Sequence, residues 1–485
     1  MISDPNAGSL APTIDVDRAG QPVPVRGNVP LLLRFTLMAI FIFPASMVIE
    51  PIGASGTVPI LLCLLLLLFW LASWMWGLHD PVPVRHPGRL AISLLLLASF
   101  ASYAALYAGW TGGSTDVTRA AADRWLLLLA ASTALVLVVA ESIRSMADAL
   151  QVVRALLTGA FFCCLVGVVQ FTFRVNPVEW IQAAMPGFAY NGGDTPFQIR
   201  GALMRVAGTT FHSIEFGVVA SMLIPLSIWR ALNDPSGRRW FHWAQTALLV
   251  FAVATTVSRS GIFALVVALV VFLPFLPRVI RRRVLLASPF VVAALFLFVP
   301  GFVGTIGAAL GADSSDPSIA TRVNNYPRVA LMLDTRPFLG AGPGNYSPPD
   351  ALKILDNQYL GAIVTLGLVG LVATIVYFVL PAIAAILAAR AAADPVLKGL
   401  AGAVAAGTLV AAACSMTFDS LSFPVFALLY PALVGLAGGV WRLVRARATG
   451  SGDHRTPESR HHAVPVATGR PTTDTTRTRP DGEGA

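Results

Sequence analysis

Residues 57–77 read TVPILLCLLLLLFWLASWMWG, a run of 21 residues without a charged side chain. A bilayer crossing needs about 20 apolar residues in a helix, because the hydrocarbon core leaves backbone polar groups no partner outside the helix itself. Working outward, comparable apolar runs recur at about 29–48, 89–108, 123–141, 151–173, 207–229, 243–258, 260–277, 284–304, 357–380, 399–417 and 421–442. With 57–77 they make about twelve spans. The irregular member is Trp243–Leu276, where Ser258, Arg259 and Ser260 mark either a tight turn or a charged interruption of one helical hairpin.

Composition agrees with this reading. Of 485 residues, 56% are hydrophobic and 12% charged, against about 25% charged in a soluble domain, and mean hydropathy is +0.72. A transmembrane β-barrel is excluded, since its strands alternate over about ten residues. A disulfide scaffold is excluded too: Cys63, Cys163, Cys164 and Cys414 all lie inside apolar runs, with no CxxC spacing. The expected fold is therefore an all-α polytopic transmembrane bundle over 28–442. Tails expected to be disordered flank it at 1–27 and 443–485, the second basic from the end of the last span (RLVRARA). Net charge is +9, but much of the excess sits in short loops and the tail. Anionic membrane lipids are the expected partner of those residues. No zinc spacing and no interleaving of aromatic with basic residues points to nucleic acid.

Short loops rich in arginine face the cytoplasm. Arg85, Arg89, Arg144, Arg230, Arg238, Arg239, Arg278, Arg281–Arg283, Arg390 and Lys398 fall on one side if the N-terminus is inside. An even span count then makes both termini cytoplasmic. Two outer segments are long, 174–206 and 305–356. Trp180, Ile181, Ala184 and Met185 predict a short surface helix in the first. Residues 319–335 predict an amphipathic helix, stopped by Pro337, in the second.

The outer side nonetheless carries Arg174, Arg200, Arg205, Arg259, Arg322, Arg328 and Arg336. Arginines against the topology bias are either paired with outer acids or held for an anionic ligand, and guanidinium forks suit phosphate oxygens. In RVAGTTFHSIEFG (205–217), His212 and Glu215 lie three apart, on one helix face. They read as a proton relay, an orienting contact or a buried structural couple. In TRVNNYPRVALMLDTRPFLGAGPGNY (321–346), Gly340, Gly342 and Gly344 offer backbone N–H groups to an anion or form a tight turn, with Asn345 beside them. Asp356 and Asn357 stand at the outer mouth of a span, where a carboxylate either accepts a proton from a hydroxyl or caps the helix. Asp419, in the outer turn TFDSLSF, has the same two readings. The histidines other than His212 fall on the inner side, and no metal site is expected.

These segments resemble the O-antigen ligase and polymerase superfamily of bacterial envelope proteins, a group of C-type membrane glycosyltransferases. Arg205 with GTTFHSIEFG, SRSG around Arg259, and Arg322 with the glycine-rich GAGPGNY each resemble a family segment. The ligase branch carries a histidine, then Asn, Ser or Gln, nine residues and GxxG. Here Asn357 is followed by nine residues and then Gly367-Leu368-Val369-Gly370, with Asp356 in the histidine's place. The resemblance implies a multi-pass protein of the bacterial cytoplasmic membrane that transfers or polymerises a glycan from a polyprenyl-pyrophosphate donor to a glycan or lipid acceptor, without cofactor or metal. It implies that Arg205, Arg259 and Arg322 hold the pyrophosphate. Asp356 or His212 would serve as base, with Glu215, Arg328, Gly342, Gly344, Asn345 and Asn357 in support. From other classes, the alternatives are a transporter or flippase of an anionic or lipid-linked substrate, marked by broken helices and acids at midplane, and a non-catalytic envelope assembly component.

Overall fold

A computed structural model describes residues 15–16, 22–23, 27–110, 114–192, 197–200, 203–298, 317–346, 348, 350 and 353–450. Within 197–204, 291–298 and 317–324 the description is of the backbone. The chain divides into a large unit, Met1–Arg445, and the segment Ala446–Ala485, of which only the end of a helix is described.

The protein is all-α and polytopic. Among the described residues, eight helices are long and apolar enough to cross a membrane. In chain order the helices are α1 Leu31–Ile42, α2 Val58–Met75, α3 Pro87–Tyr107, α4 Asp116–Ser142, α5 Met146–Phe173, α6 Pro177–Ala183, α7 Ser213–Asn233, α8 Arg239–Thr255, α9 Arg259–Phe272, α10 Arg278–Phe298, α11 Pro317–Thr335, α12 Gln358–Ala391, α13 Pro395–Cys414 and α14 Pro424–Gly450. The expected span 29–48 is shorter than its apolar run: α1 has 12 residues. Pro44 follows Phe43, and the residue before a proline is pushed out of the helical region. The chain then forms β1, Met47–Val48, which pairs antiparallel with β2, Ala189–Tyr190. The run 243–277 is two helices, with the break where the sequence put it. Helices are present at both expected places, as α6 and α11.

The helices differ in how far they are enclosed. The spanning window of α7 is 94% buried, against 22% for α2. So α7 with α13 and α14 forms the centre, and α2 turns its leucines outward, as a helix meeting lipid does. Small residues let the central helices approach. Gly399, Gly402 and Gly407 of α13 lie against Trp229, Phe275 and Met222, and Gly435 and Gly439 of α14 against Val139 of α4 and Ile143, which closes it. α12 packs on α3 and α13, and α7 on α8, α9 and α13.

The longest helix, α12, is broken. Gly367 has φ 69° and ψ −165°, a region open in practice only to glycine. A loop fills the break. Ala341 and Gly342 donate N–H bonds to the carbonyls of Val364 (2.9 Å) and Thr365 (3.0 Å), while Leu368 and Val369 donate to those of Pro337 (2.9 Å) and Phe338 (3.3 Å). Ser102 of α3 donates to the Leu339 carbonyl at 2.6 Å and pins the loop from the other side. The backbone groups released by the break are thus paired within protein, which is the condition for non-helical backbone at membrane depth.

Candidate functional site

The site end of the bundle gathers around the turn between α8 and α9. β3, Phe197–Arg200, and β4, Leu203–Val206, form a hairpin in which Gln198 pairs with Arg205. The Arg205 side chain runs inward, leaving the residue 7% exposed, and its Nε donates to the Thr256 carbonyl at 2.9 Å. Thr256 closes α8, where a cation also complements the helix dipole. Val257 follows at φ 48°, a left-handed conformation costly for a β-branched residue. Ser258 then caps α9, its Oγ accepting from the Gly261 N–H. Arg259, half-buried, is the first residue of α9. Of the three expected anion-binding arginines, Arg205 therefore bonds to the turn that leads into Arg259. Arg322 has its backbone in α11, and its side chain lies outside the described residues.

Glu215 is fully buried. Its Oε1 accepts from the N–H groups of Val425 (2.8 Å) and Phe426 (2.9 Å), and its Oε2 from that of Phe211 (2.8 Å). An acid on the first N–H groups of α14 satisfies donors that a helix leaves open at its start. It ties α14 to the GTTF turn. His212 caps α7, its Nδ1 accepting from the Ile214 N–H at 2.9 Å. In the neutral ring the proton then sits on Nε2, so that atom donates. Burial lowers the imidazole pKa to about 4.

The turn 415–426 joins this cluster to the mouth of α12. Gln358 donates its N–H to the Ser415 carbonyl and accepts from the Leu421 N–H through Oε1, both at 2.8 Å. The Phe423 ring lies edge-on to His212, 5.9 Å between centroids. Asn357 caps α12 through Oδ1, at 2.9 Å from the Tyr359 N and 3.2 Å from the Leu360 N. The capping function suggested for Asp356 therefore belongs to its neighbour, and Asp356 is exposed. Asp419 is half-buried across from it. Burial, with a smaller contribution from the charge of Asp356 and against the Ser422 hydroxyl, holds the Asp419 carboxyl at about 6.

α11 brings a second group. Val329 packs with Leu355 and Val364, and the Arg328 guanidinium lies 5.7 Å from the Tyr346 ring centroid. Tyr346 Oη in turn donates to the Lys353 carbonyl at 2.6 Å. Of the glycine-rich turn, the Ala341 and Gly342 N–H groups are taken up by α12, as above. Gly340, Gly342 and Gly344 all have positive φ. Gly340 needs its lack of Cβ, since that atom would overlap the Thr365 carbonyl. Among the described residues, Asn345 Nδ2 is buried without a hydrogen-bond partner.

A cavity of about 300 Å³ adjoins the GTTF turn, lined by Ser46, Asn176, Glu179, Gln182, Tyr190 and Gly208–Phe211. Among the described residues, no group of three or more His, Cys, Asp or Glu could hold a metal.

Residues 244–375 match the family model described as O-antigen ligase. The matched stretch runs from α8 through the Thr256–Arg259 turn, α11 and the glycine-rich loop past the break in α12. Arg205, His212 and Glu215 lie before it. No curated protein matches the chain.

Sequence reasoning missed the 415–426 turn, apart from Asp419. Its part is played mostly by backbone groups of Ser415, Leu421, Val425 and Phe426, which carry no motif. The one available signal was the pair of polar residues, Glu215 and Gln358, each at the start of an apolar helix.

Proposed function

We propose that this protein transfers or polymerises a polyprenyl-pyrophosphate-linked glycan at the outer face of the bacterial cytoplasmic membrane. The observation that carries the reading is the convergence of Arg205, from the β3–β4 hairpin, on the turn that presents Arg259. An arginine bonded to the Thr256 carbonyl of a strained turn, with a second arginine two residues past its left-handed Val257, suits a diphosphate at the lipid boundary. The O-antigen ligase match over the same turn supports this substrate class.

In this reading an acceptor hydroxyl attacks the anomeric carbon, the bond from that carbon to the pyrophosphate oxygen breaks, and the electron pair leaves with the lipid diphosphate. Arg205, Arg259 and Arg322 hold the diphosphate and stabilise the charge developing on it. Asp356 takes the hydroxyl proton, being exposed at the mouth of α12 while Asn357 does the capping. His212, with Nδ1 engaged by the Ile214 N–H, serves as an Nε2 donor to a ligand oxygen. Glu215, Arg328 with Tyr346, and the glycine-rich loop keep the helix ends in place, and Asn345 Nδ2 offers a donor to the bound glycan.

One observation favours a second reading. A broken helix is a mark of alternating-access transporters, and α12 is broken at Gly367. Against transport, the break is filled by residues 337–342 and offers its backbone groups to the protein. The two readings separate in a purified system given a polyprenyl-pyrophosphate glycan. Transfer yields a covalently extended acceptor or a ladder of repeat units, whereas transport yields unchanged lipid on the far side of a vesicle.

A further inference from the structure

The opposite end of the bundle holds a second cavity, of about 320 Å³, between the end of α7 and the beginnings of α8 and α10. Ala231, Leu232, Trp243, Ile280, Val284 and Ala287 give it apolar walls, and Arg239 and Arg283 line it as well. The nearest acid in sequence, Asp234, is already engaged by Arg230 (3.0 Å) and by Arg154. Among the described residues, neither Arg239 nor Arg283 forms an ion pair. Arg239 also stands as the first residue of α8, where the helix dipole disfavours a cation and favours an anion. Trp240 and Trp243 are 64% and 40% exposed, and on the α10 segment that reaches the cavity Leu285, Leu286 and Phe290 are 51%, 70% and 77% exposed. Indole rings beside outward leucines mark the boundary between headgroups and hydrocarbon.

We propose that this cavity is a binding site for an anionic phospholipid of the leaflet at the arginine-rich end of the bundle. The phosphate sits between Arg239 and Arg283, and an acyl chain lies along Trp243, Ile280 and Val284. An apolar groove opening to lipid and bearing two cations without carboxylate partners matches such a molecule on both counts. A soluble phosphate would meet only the arginines. The site is independent of the reaction at the other end.

The test titrates the purified full-length protein in neutral detergent with phosphatidylglycerol and with phosphatidylcholine of the same chains, reading bound lipid by native mass spectrometry. Phosphatidylglycerol should bind at least fivefold more tightly to the wild type. The double variant R239A/R283A should bind both lipids alike, while R239K/R283K keeps a preference. The control R85A/R390A, neither position lining the cavity, should keep all of it. Thermal unfolding of each variant in phosphatidylcholine should match wild type, so that lost preference is not lost fold. A preference surviving in R239A/R283A overturns the site, as does equal loss in the control. Displacement of the lipid by equimolar inorganic phosphate overturns the lipid as occupant.

Discussion

Replacing Gly367 by alanine should loosen the joint between α12 and the glycine-rich loop. The added Cβ would overlap the carbonyl carbon and oxygen of Phe338, and alanine would have to adopt φ 69° with ψ −165°. The backbone conformation alone costs about 1–3 kcal/mol, and forced overlap in a packed region about 1–3 kcal/mol more. Together they amount to about 2–6 kcal/mol, comparable to the stability of many whole domains. The local alternative is for the loop to leave, giving up the four hydrogen bonds of residues 337–342 with 364–369. Limited trypsin digestion of the detergent-solubilised protein reads this directly, because Lys353 follows the loop and is open to cleavage, whereas Arg336 precedes Pro337 and is not cut. The variant should be cut faster after Lys353, and its unfolding temperature should fall. Gly361→Ala is the matched control, since its Cβ would meet only Asp419 Oδ1 at 3.7 Å. Within a helix that change is worth about 0.5–1 kcal/mol in the stabilising direction. Wild-type stability and cleavage in Gly367→Ala would refute the interlock.

Arg259→Lys keeps the charge but not the planar fork, so transfer should fall tenfold or more with expression unchanged; tenfold corresponds to about 1.4 kcal/mol of transition-state stabilisation. Asp356→Asn should abolish transfer while leaving donor binding nearly intact, and full activity would move the base elsewhere. His212→Asn retains a capping oxygen and removes a titration. In the wild type the buried ring, near pKa 4, takes up its proton later than the unfolded chain does, near 6.5, so stability falls as pH drops through that window. Unfolding temperatures between pH 7 and 4 should therefore vary less in the variant. In intact cells lacking the four native cysteines, an impermeant thiol reagent should label a cysteine at Tyr326 and not one at Arg282. The reverse pattern would invert the orientation.

The helical body was legible because a membrane span needs little more than length and apolarity, and 57–77 supplies both. Where the reading overshot, as at 29–48, the apolar run continues past Pro44 while the helix does not. The break between α8 and α9 was visible in Ser258–Ser260, but Val257 at φ 48° was not, since nothing in the chemistry of valine announces a left-handed turn. The glycines of GAGPGN and GxxG were each visible as motifs. Their relation was not, because it consists of backbone bonding between segments more than twenty residues apart. The same holds for Arg205, whose partner is a carbonyl on another helix, and for Glu215, which binds the start of α14.

The central claim rests on turnover. Purified protein, reconstituted in vesicles with a radiolabelled polyprenyl-pyrophosphate glycan and an acceptor, should give a covalently extended product. Loss of that product in Arg205→Lys and Arg259→Lys proteins that still fold would match the account. Folded wild-type protein that moves the donor across the bilayer without forming any new glycosidic bond would contradict it.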